Sequence, residues 1–505
     1  MTTLTYLLLA PLAVQLQRVV TPFGRSAARS FGTLKQLDAN FPRTDACRRS
    51  DGQTLEGVHA DPGDPLMERV LHRVPELARW EDWYRSPLFM RNGHVHTIFA
   101  AKTRRTRAVR YHRLLVPTPD GGTLAIDLLA GIRRKMQRDG SIFSGSGGLL
   151  PGAAEDTEGG DTHFVDVPPD LNASRPMLLL ASGLGGGSQD TYVRSMAATA
   201  AERGWQVAVV NMRGCGGSPV TSPRLFSAFR GANDDLRLAV SHLRRTRLAG
   251  VGDARLAVIG WSNSGTILNN VLAEQATTHA NEHDGTARID AGVACACPFN
   301  MPANSANLRR RFHSAVYDRN LGKSLQRLWA AARPQFVDAV TDTPVPVPYW
   351  SGLGRSGLLD PTGAEKAGGS FVADDQLART ALSIRELDEA LTRRQYGYES
   401  VDDYYYAASS DQRLGLIETP LLLLNAYDDP IVPGVSLRRD LDNARANPNL
   451  LMAITADGGH LGWCEPSNPT GGPAWIERVS SGFLEAVLGI EPTDACENLG
   501  CEIFD

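Results

Sequence analysis

Three residues far apart in the chain have types and settings that suit one another chemically. Ser262 lies in Gly260-Trp-Ser-Asn-Ser-Gly265, Asp429 in Tyr427-Asp-Asp-Pro430, and His460 in Asp457-Gly-Gly-His460. A serine hydroxyl is a poor nucleophile near neutral pH. It needs an imidazole to take its proton, and the imidazole needs a carboxylate to fix its tautomer. Each of the three follows an apolar run that reads as a buried strand: Ala254–Gly260, Thr419–Ala426 and Leu450–Ala456. Residues at the carboxyl ends of parallel strands meet at one edge of the sheet, however far apart they lie in sequence. Asp429, followed by Pro430-Ile-Val-Pro433, is the expected acid, and Asp428 is expected to cap or orient the turn. The spacing alone leaves Asp428 open as the alternative.

A negative charge developing on a carbonyl oxygen needs preorganised N–H donors. The backbone N–H of Asn263, directly after the serine, is one candidate. The strand-like run Pro176–Ala181 opens into Ser182-Gly-Leu-Gly-Gly-Gly-Ser188, where glycines let the main chain come close to a substrate. The backbone N–H of Leu184 is the second candidate. The same glycines do not form a nucleotide cradle, since neither G-x-x-x-x-G-K-[ST] nor G-x-G-x-x-G fits.

The elements that position these residues follow a regular rhythm. A hairpin is expected from strand Val109–Val116, turn Pro119–Gly122 and strand Leu124–Leu129. Helix Asp190–Gly204, strand Trp205–Asn211, helix Ala232–Arg247 and strand Ala254–Gly260 then alternate, which predicts an α/β fold with a mostly parallel sheet and helices on both faces. The turn at Ser262 between strand and helix has the pattern of a nucleophile elbow, which is tight enough that the residues two before and two after must be small. Gly260 meets that demand fully, and Ser264 stands where G-x-S-x-G has its last glycine.

On these residues the chain resembles the YheT-like branch of the α/β-hydrolases, with its plant embryogenesis-associated proteins and animal ABHD lipases. Asn92-Gly-His-Val-His-Thr-Ile-Phe99, Asn211-Met-Arg-Gly-Cys-Gly-Gly-Ser218, Ala294-Cys-Ala-Cys-Pro-Phe-Asn300 and Gln395–Tyr405 all look like segments of that branch. The resemblance spans roughly residues 85 to 490. It implies an α/β-hydrolase fold, hydrolysis of carboxylic esters with acylglycerols the leading class, and Ser262, Asp429 and His460 as nucleophile, acid and base. It departs at Ser264 and at Ser182-Gly183, where many relatives carry His-Gly or Pro-Gly. Two other functions fit the same residues: acyl transfer by the same triad to an alcohol or thiol, and a non-catalytic lipid-binding module.

The chain has 505 residues, 42% of them hydrophobic and 21% charged, enough for a large core. A net charge of −4 and the lack of a basic stripe with aromatics argue against nucleic-acid binding. Seven cysteines are too few for a disulfide framework, and Cys295-Ala-Cys297 reads as buried small side chains. No cofactor is expected. His94 and His96, read on an extended segment, share a face as a metal pair would, but no acidic or cysteine partner has ligand spacing. No metal is therefore expected, and hydrogen bonding near the pocket is the preferred role. Arg213 is expected to brace the loop opposite the elbow.

Residues 1–84 read as a targeting or membrane-associated segment with an irregular connector, 85–490 as the α/β-hydrolase domain and 491–505 as a tail. Leu4–Val14 is apolar but about half the ~20 residues a membrane span requires. Arg18, Arg25, Arg29 and Lys35 all precede the first acid, Asp38. This pattern fits an organelle-targeting peptide, a secretory signal or a short interfacial anchor, so membrane association or a plastid, mitochondrial or endoplasmic-reticulum address is expected, otherwise the cytoplasm. Residues 136–172 are Gly-, Ser- and acid-rich and read as a disordered loop. Residues 300–410 break the strand-helix rhythm and read as a helical lid, with helices over Arg309–Tyr317 and Leu321–Ala332 and a mobile stretch over 334–380.

Overall fold

The computed structural model describes residues 56–60, 65–79, 81–133, 162–250, 254–278, 287–349, 369–491 and 502–504. Its strands, in chain order, are β1 (Gly57–His59), β2 (Val109–Pro117), β3 (Thr123–Arg133), β4 (Thr162–Phe164), β5 (Met177–Ala181), β6 (Gln206–Asn211), β7 (Leu256–Trp261), β8 (Ala291–Cys295), β9 (Val347–Pro348), β10 (Ser370–Phe371), β11 (Leu421–Ala426), β12 (Leu450–Thr455) and β13 (Glu502–Phe504). The large sheet runs β1-β12-β11-β8-β7-β5-β6-β3-β2-β4, and β13 pairs with β3. Its centre, β6-β5-β7-β8-β11-β12, is parallel throughout. The β2–β3 hairpin forms as expected and joins β6 antiparallel.

The central strands are buried along their whole length, as continuous apolar runs in a parallel sheet must be. Their side chains alternate between two cores. Leu178, Leu180, Ala257 and Ile259 pack on one face with helices Thr191–Glu202 and Trp475–Leu488. Met177, Leu179, Leu256 and Val258 pack on the other with helices Gly231–Arg247, Asn263–Thr278 and Leu437–Ala446. Burying a Leu or Ile side chain contributes about 1.5–3 kcal/mol, so this two-sided burial is what makes the sheet rigid. The chain passes from β5 to β6 on one side and then to β7 on the other side of β5. That reversal opens a crevice at the carboxyl ends of β5 and β7, where such sheets bind their ligands.

Several expectations are corrected. The connector before residue 85 is partly regular: β1 extends the sheet edge along β12, and helix Pro65–Arg73 buries Val70 in the core beside helix Trp475–Leu488. The stretch read as a disordered loop over 136–172 is ordered from Thr162, where β4 pairs with β2, while its earlier part lies outside the described residues. The tail contributes β13, whose Phe504 lies under the Arg110 guanidinium at 3.9 Å. The strands β1, β4 and β13 are short runs too weak to signal themselves, each held by pairing to a longer neighbour.

Between β8 and β11 the chain leaves the sheet. Helices Met301–Leu308, Arg319–Ala332 and Val401–Ala408 dominate this insertion, with short helices at Asp375–Thr380 and Ile384–Leu387. The helix expected over Arg309–Tyr317 starts at Arg311 and runs through a π-helical segment, Ser314–Asp318, into Arg319–Ala332 without a break. A second π-helical segment covers Asp388–Thr392. Leu325, Trp329, Phe336, Ala378 and Leu391 give the insertion a small core of its own. Of the stretch expected to be mobile, 350–368 lies outside the described residues, and β9 pairs with β10 on either side of it.

Candidate active site

Ser262 follows β7 directly and has φ 52°, the strained backbone of a tight elbow. Its N–H donates to the Cys295 carbonyl at 2.8 Å, and helix Asn263–Thr278 starts at the next residue. A Cβ on Gly260 would lie 2.4 Å from the Ser264 carbonyl oxygen, so glycine is obligatory there. Ser264 is accommodated, and its hydroxyl is used. The buried Oγ donates to the Ser182 carbonyl at 2.5 Å, tying the elbow to the glycine loop after β5.

The structure brings the sequence-selected residues together. His460 Nε2 lies 3.0 Å from Ser262 Oγ, and His460 Nδ1 lies 2.8 Å from Asp429 Oδ2. Asp429 follows β11, and its Oδ1 accepts the N–H groups of Ile431 at 2.7 Å and Val432 at 2.9 Å. Those bonds fix the carboxylate, which is 4% exposed, without using the oxygen that faces the imidazole. Asp428 points elsewhere and accepts the Gly459 N–H at 2.8 Å, so it orients the histidine's turn. Burial, aided by the charges of Asp457 and Asp429, pushes its carboxyl well above the usual carboxylate range.

The glycine loop is braced from beneath. Ser182 Oγ donates to Asp190 Oδ2 at 2.5 Å, Gly187 N–H donates to the same oxygen at 3.0 Å, and Gly183 N–H donates to Tyr192 Oη at 3.0 Å. Gly186 N–H turns back to the Gly183 carbonyl. With its neighbours engaged, the N–H of Leu184 donates to no protein group among the described residues, and neither does that of Asn263. Leu184, Asn263, Ser262 and His460 all line one cavity of about 670 Å³. Its remaining walls come largely from the insertion, with Met301, Leu308, Leu325 and Leu387 among the apolar side chains. That volume suits a small-molecule ligand.

His94 and His96 lie on a helix, Gly93–Thr103, and the extended reading is corrected. Asn92 caps the helix, its side chain accepting the His94 N–H at 3.0 Å. At i and i+2 on a helix the two rings diverge. His94 Nδ1 meets Tyr317 Oη at 2.8 Å, and the buried His96 Nε2 accepts the Cys464 N–H at 2.8 Å. Burial lowers both, His94 to about 4 and His96 to about 3.

The more informative residue of this segment is one the sequence reading passed over. Thr97 Oγ1 accepts the backbone N–H of His460 at 2.8 Å and donates to the Gly93 carbonyl at 2.7 Å. A Cβ on Gly93 would fall 1.7 Å from the Asp428 carbonyl oxygen. The helix therefore rests directly on the loops that carry Asp429 and His460. Arg213 braces as expected, bridging Asp235 at 2.8 Å and Asp120 at 2.6 Å. Cys295 and Cys297 are fully buried thiols.

No helix among the described residues is long and apolar enough to cross a membrane, and Leu4–Val14 lies outside them. A family model described as the alpha/beta hydrolase fold matches residues 176–323. The chain is 28% identical over 477 residues to the embryogenesis-associated protein EMB8 of Picea glauca, covering 92% of this chain and 87% of the relative. It is 25% identical over 456 residues to a monoacylglycerol lipase of Saccharomyces cerevisiae, covering 85% and 87%. It is 25% identical over 380 residues to phospholipase ABHD3 of Mus musculus, covering 75% and 72%. Together with the sheet order and the elbow, these findings give the chain the α/β-hydrolase fold, and the proteins it is similar to include embryogenesis-associated, ABHD and YheT proteins.

Proposed function

We propose that the protein is a serine hydrolase of carboxylic acyl esters, with acylglycerols the leading substrate class. Ser262 Oγ attacks the ester carbonyl while His460 Nε2 takes its proton, and Asp429 holds the imidazole through Nδ1 and stabilises the imidazolium that forms. The N–H groups of Leu184 and Asn263 receive the oxyanion. His460 then returns the proton to the leaving alcohol, and water, activated by the same imidazole, releases the acid from the acyl-enzyme. The observation that carries this reading is the unbroken hydrogen-bonded line from Ser262 Oγ through His460 to Asp429, at 3.0 and 2.8 Å, rising from a serine at φ 52°. The names of the yeast and mouse relatives support ester and lipid chemistry.

In this reading the insertion is an apolar lid. Its leucines offer an acyl chain a wall away from water. Residues 1–84 would bring the enzyme to a membrane, which fractionation of the full chain tests by whether it pellets with membranes or stays in the supernatant. A fluorophosphonate probe tests the chemistry directly. Labelling of the folded protein that disappears in Ser262→Ala is expected, and a folded wild type that takes no label overturns the hydrolase reading. A panel of p-nitrophenyl esters and monoacylglycerols then ranks the substrates.

A further inference from the structure

The insertion's wall of the cavity also carries polar groups, beside its leucines, and the proposed ester hydrolysis gives those groups no part. Asn304, on helix Met301–Leu308, lines the cavity and is 5% exposed, yet neither its Nδ2 nor its Oδ1 bonds to a protein group among the described residues. Asp318, at the end of the first π-helical segment, is 4% exposed. It accepts the Ile384 N–H on Oδ1 at 3.0 Å, and Oδ2 has no protein partner among the described residues. Asp388, which opens the second π-helical segment, is 9% exposed, accepts Tyr405 Oη on Oδ2 at 2.8 Å and is also hydrogen-bonded by the Thr392 side chain. Both aspartates line the cavity that holds Ser262 and His460.

An unpartnered buried amide costs stability, and folds keep one where something else repays it. The two π-helical segments point the same way, since such bulges widen a helix locally and recur at functional sites. We infer that Asn304, Asp318 and Asp388 form a subsite for the hydroxyl groups of the substrate's alcohol half, so that the enzyme prefers esters of a polyol such as glycerol. The inference rests on the hydrolase reading and deepens it.

Neutral hydroxyls fit this wall better than a cationic head group. Burial raises both aspartates to about 6, with the Asp318 charge adding to the rise at Asp388. A hydroxyl donates to a carboxylate and accepts from a carboxylic acid, so it serves either form, whereas a cation is served only by the ionised one. Asn304 offers a donor and an acceptor together, the complement of a hydroxyl. The leucines of the cavity are left for the acyl chain.

The test compares a 1-monoacylglycerol with the same ester methylated on both free hydroxyls, in the wild type, Asn304→Leu and Asp318→Asn. The wild type is expected to favour the free diol in kcat/KM, and that preference to fall about fivefold to tenfold in Asn304→Leu, the loss of roughly one hydrogen bond. Asn304→Leu breaks no protein hydrogen bond, so its melting temperature is expected to hold or rise. Asp318→Asn keeps an oxygen for the Ile384 N–H and is expected to lose part of the same preference. The inference is overturned if the wild type does not distinguish the two esters, if both variants keep the full preference, or if a choline ester is preferred to the diol. Absence of any ester turnover, together with absence of fluorophosphonate labelling, defeats the hydrolase reading itself and this subsite with it.

Discussion

The sheet edge and the insertion wall face each other across one cavity, and they are built by opposite means. At the sheet edge Ser262, Asp429 and His460 each leave the end of a fully buried strand; the Ser262 and His460 N–H groups donate to the Cys295 carbonyl and Thr97 Oγ1, and the Asp429 carboxylate accepts the Ile431 N–H. The insertion is a set of short helices interrupted by π-helical segments, with a small core and an amide left unbonded in the cavity wall. Rigid support suits groups that must keep reacting atoms within a fraction of an ångström. A looser wall suits the side that receives a variable ligand. Substitutions at the sheet edge should therefore act on kcat, and substitutions in the insertion on KM.

The largest effect is expected at the edge itself. Ser262→Ala should lower kcat by about 10⁶, and Asp429→Asn by about 10³ to 10⁴, measured on a chromogenic ester. Asp428→Asn, one residue away, should cost less than about tenfold, because its carboxylate holds Gly459 and not the imidazole. Equal losses at the two aspartates would overturn the assignment of roles. Thr97→Val removes the acceptor for the His460 N–H and should lower kcat about tenfold with KM little changed.

Ser264→Ala frees the elbow from the glycine loop. It should cost about 1 kcal/mol in denaturant unfolding and lower kcat several-fold. A variant as active and as stable as wild type would make the tether incidental. On the other side of the cavity, a Cβ on Gly322 would lie 2.6 Å from the backbone of Leu382 and must push helix Arg319–Ala332 away. Gly322→Ala should raise KM several-fold with a smaller change in kcat, and the reverse pattern would erase the contrast between the two regions.

The smallest effect concerns stability and pH. Burial raises the Asp428 carboxyl above its unfolded value near 3.9, so the folded state holds the proton more tightly than the unfolded one. Its cost to the fold is absent below the unfolded pKa and grows as pH rises toward the folded one. Asp428→Asn should therefore raise the melting temperature more at pH 8 than at pH 4, and a gain independent of pH would exclude this cause.

Much of the sheet was legible because it is made of local signals. Runs such as Met177–Ala181 and Leu421–Ala426 are apolar throughout, and only a strand buried on both faces explains them. The residues drawn together at the site were legible for a related reason, since each sits at the end of such a run beside a turn. What was misread had weak local signals. The helix at Gly93–Thr103 has no apolar stripe, and β1, β4 and β13 are three-residue strands that exist only because a neighbour offers hydrogen bonds. The π-helical segments at Ser314–Asp318 and Asp388–Thr392 depend on packing inside the insertion, which no periodicity reports.

By itself the sequence determined the layered α/β architecture and the positions where chemistry can reside, because burial periodicity and tight-turn glycines are written residue by residue. It left Asp428 and Asp429 as alternatives, and it marked Ser264 only as a departure from glycine. Only the tertiary structure decided that Asp429 faces the imidazole, that the Ser264 hydroxyl ties two loops together, and that Thr97 supports His460 from 363 residues away. Those outcomes are matters of direction and distance between segments remote in sequence. They are fixed by which strands lie side by side, and that order is set only when the whole sheet packs.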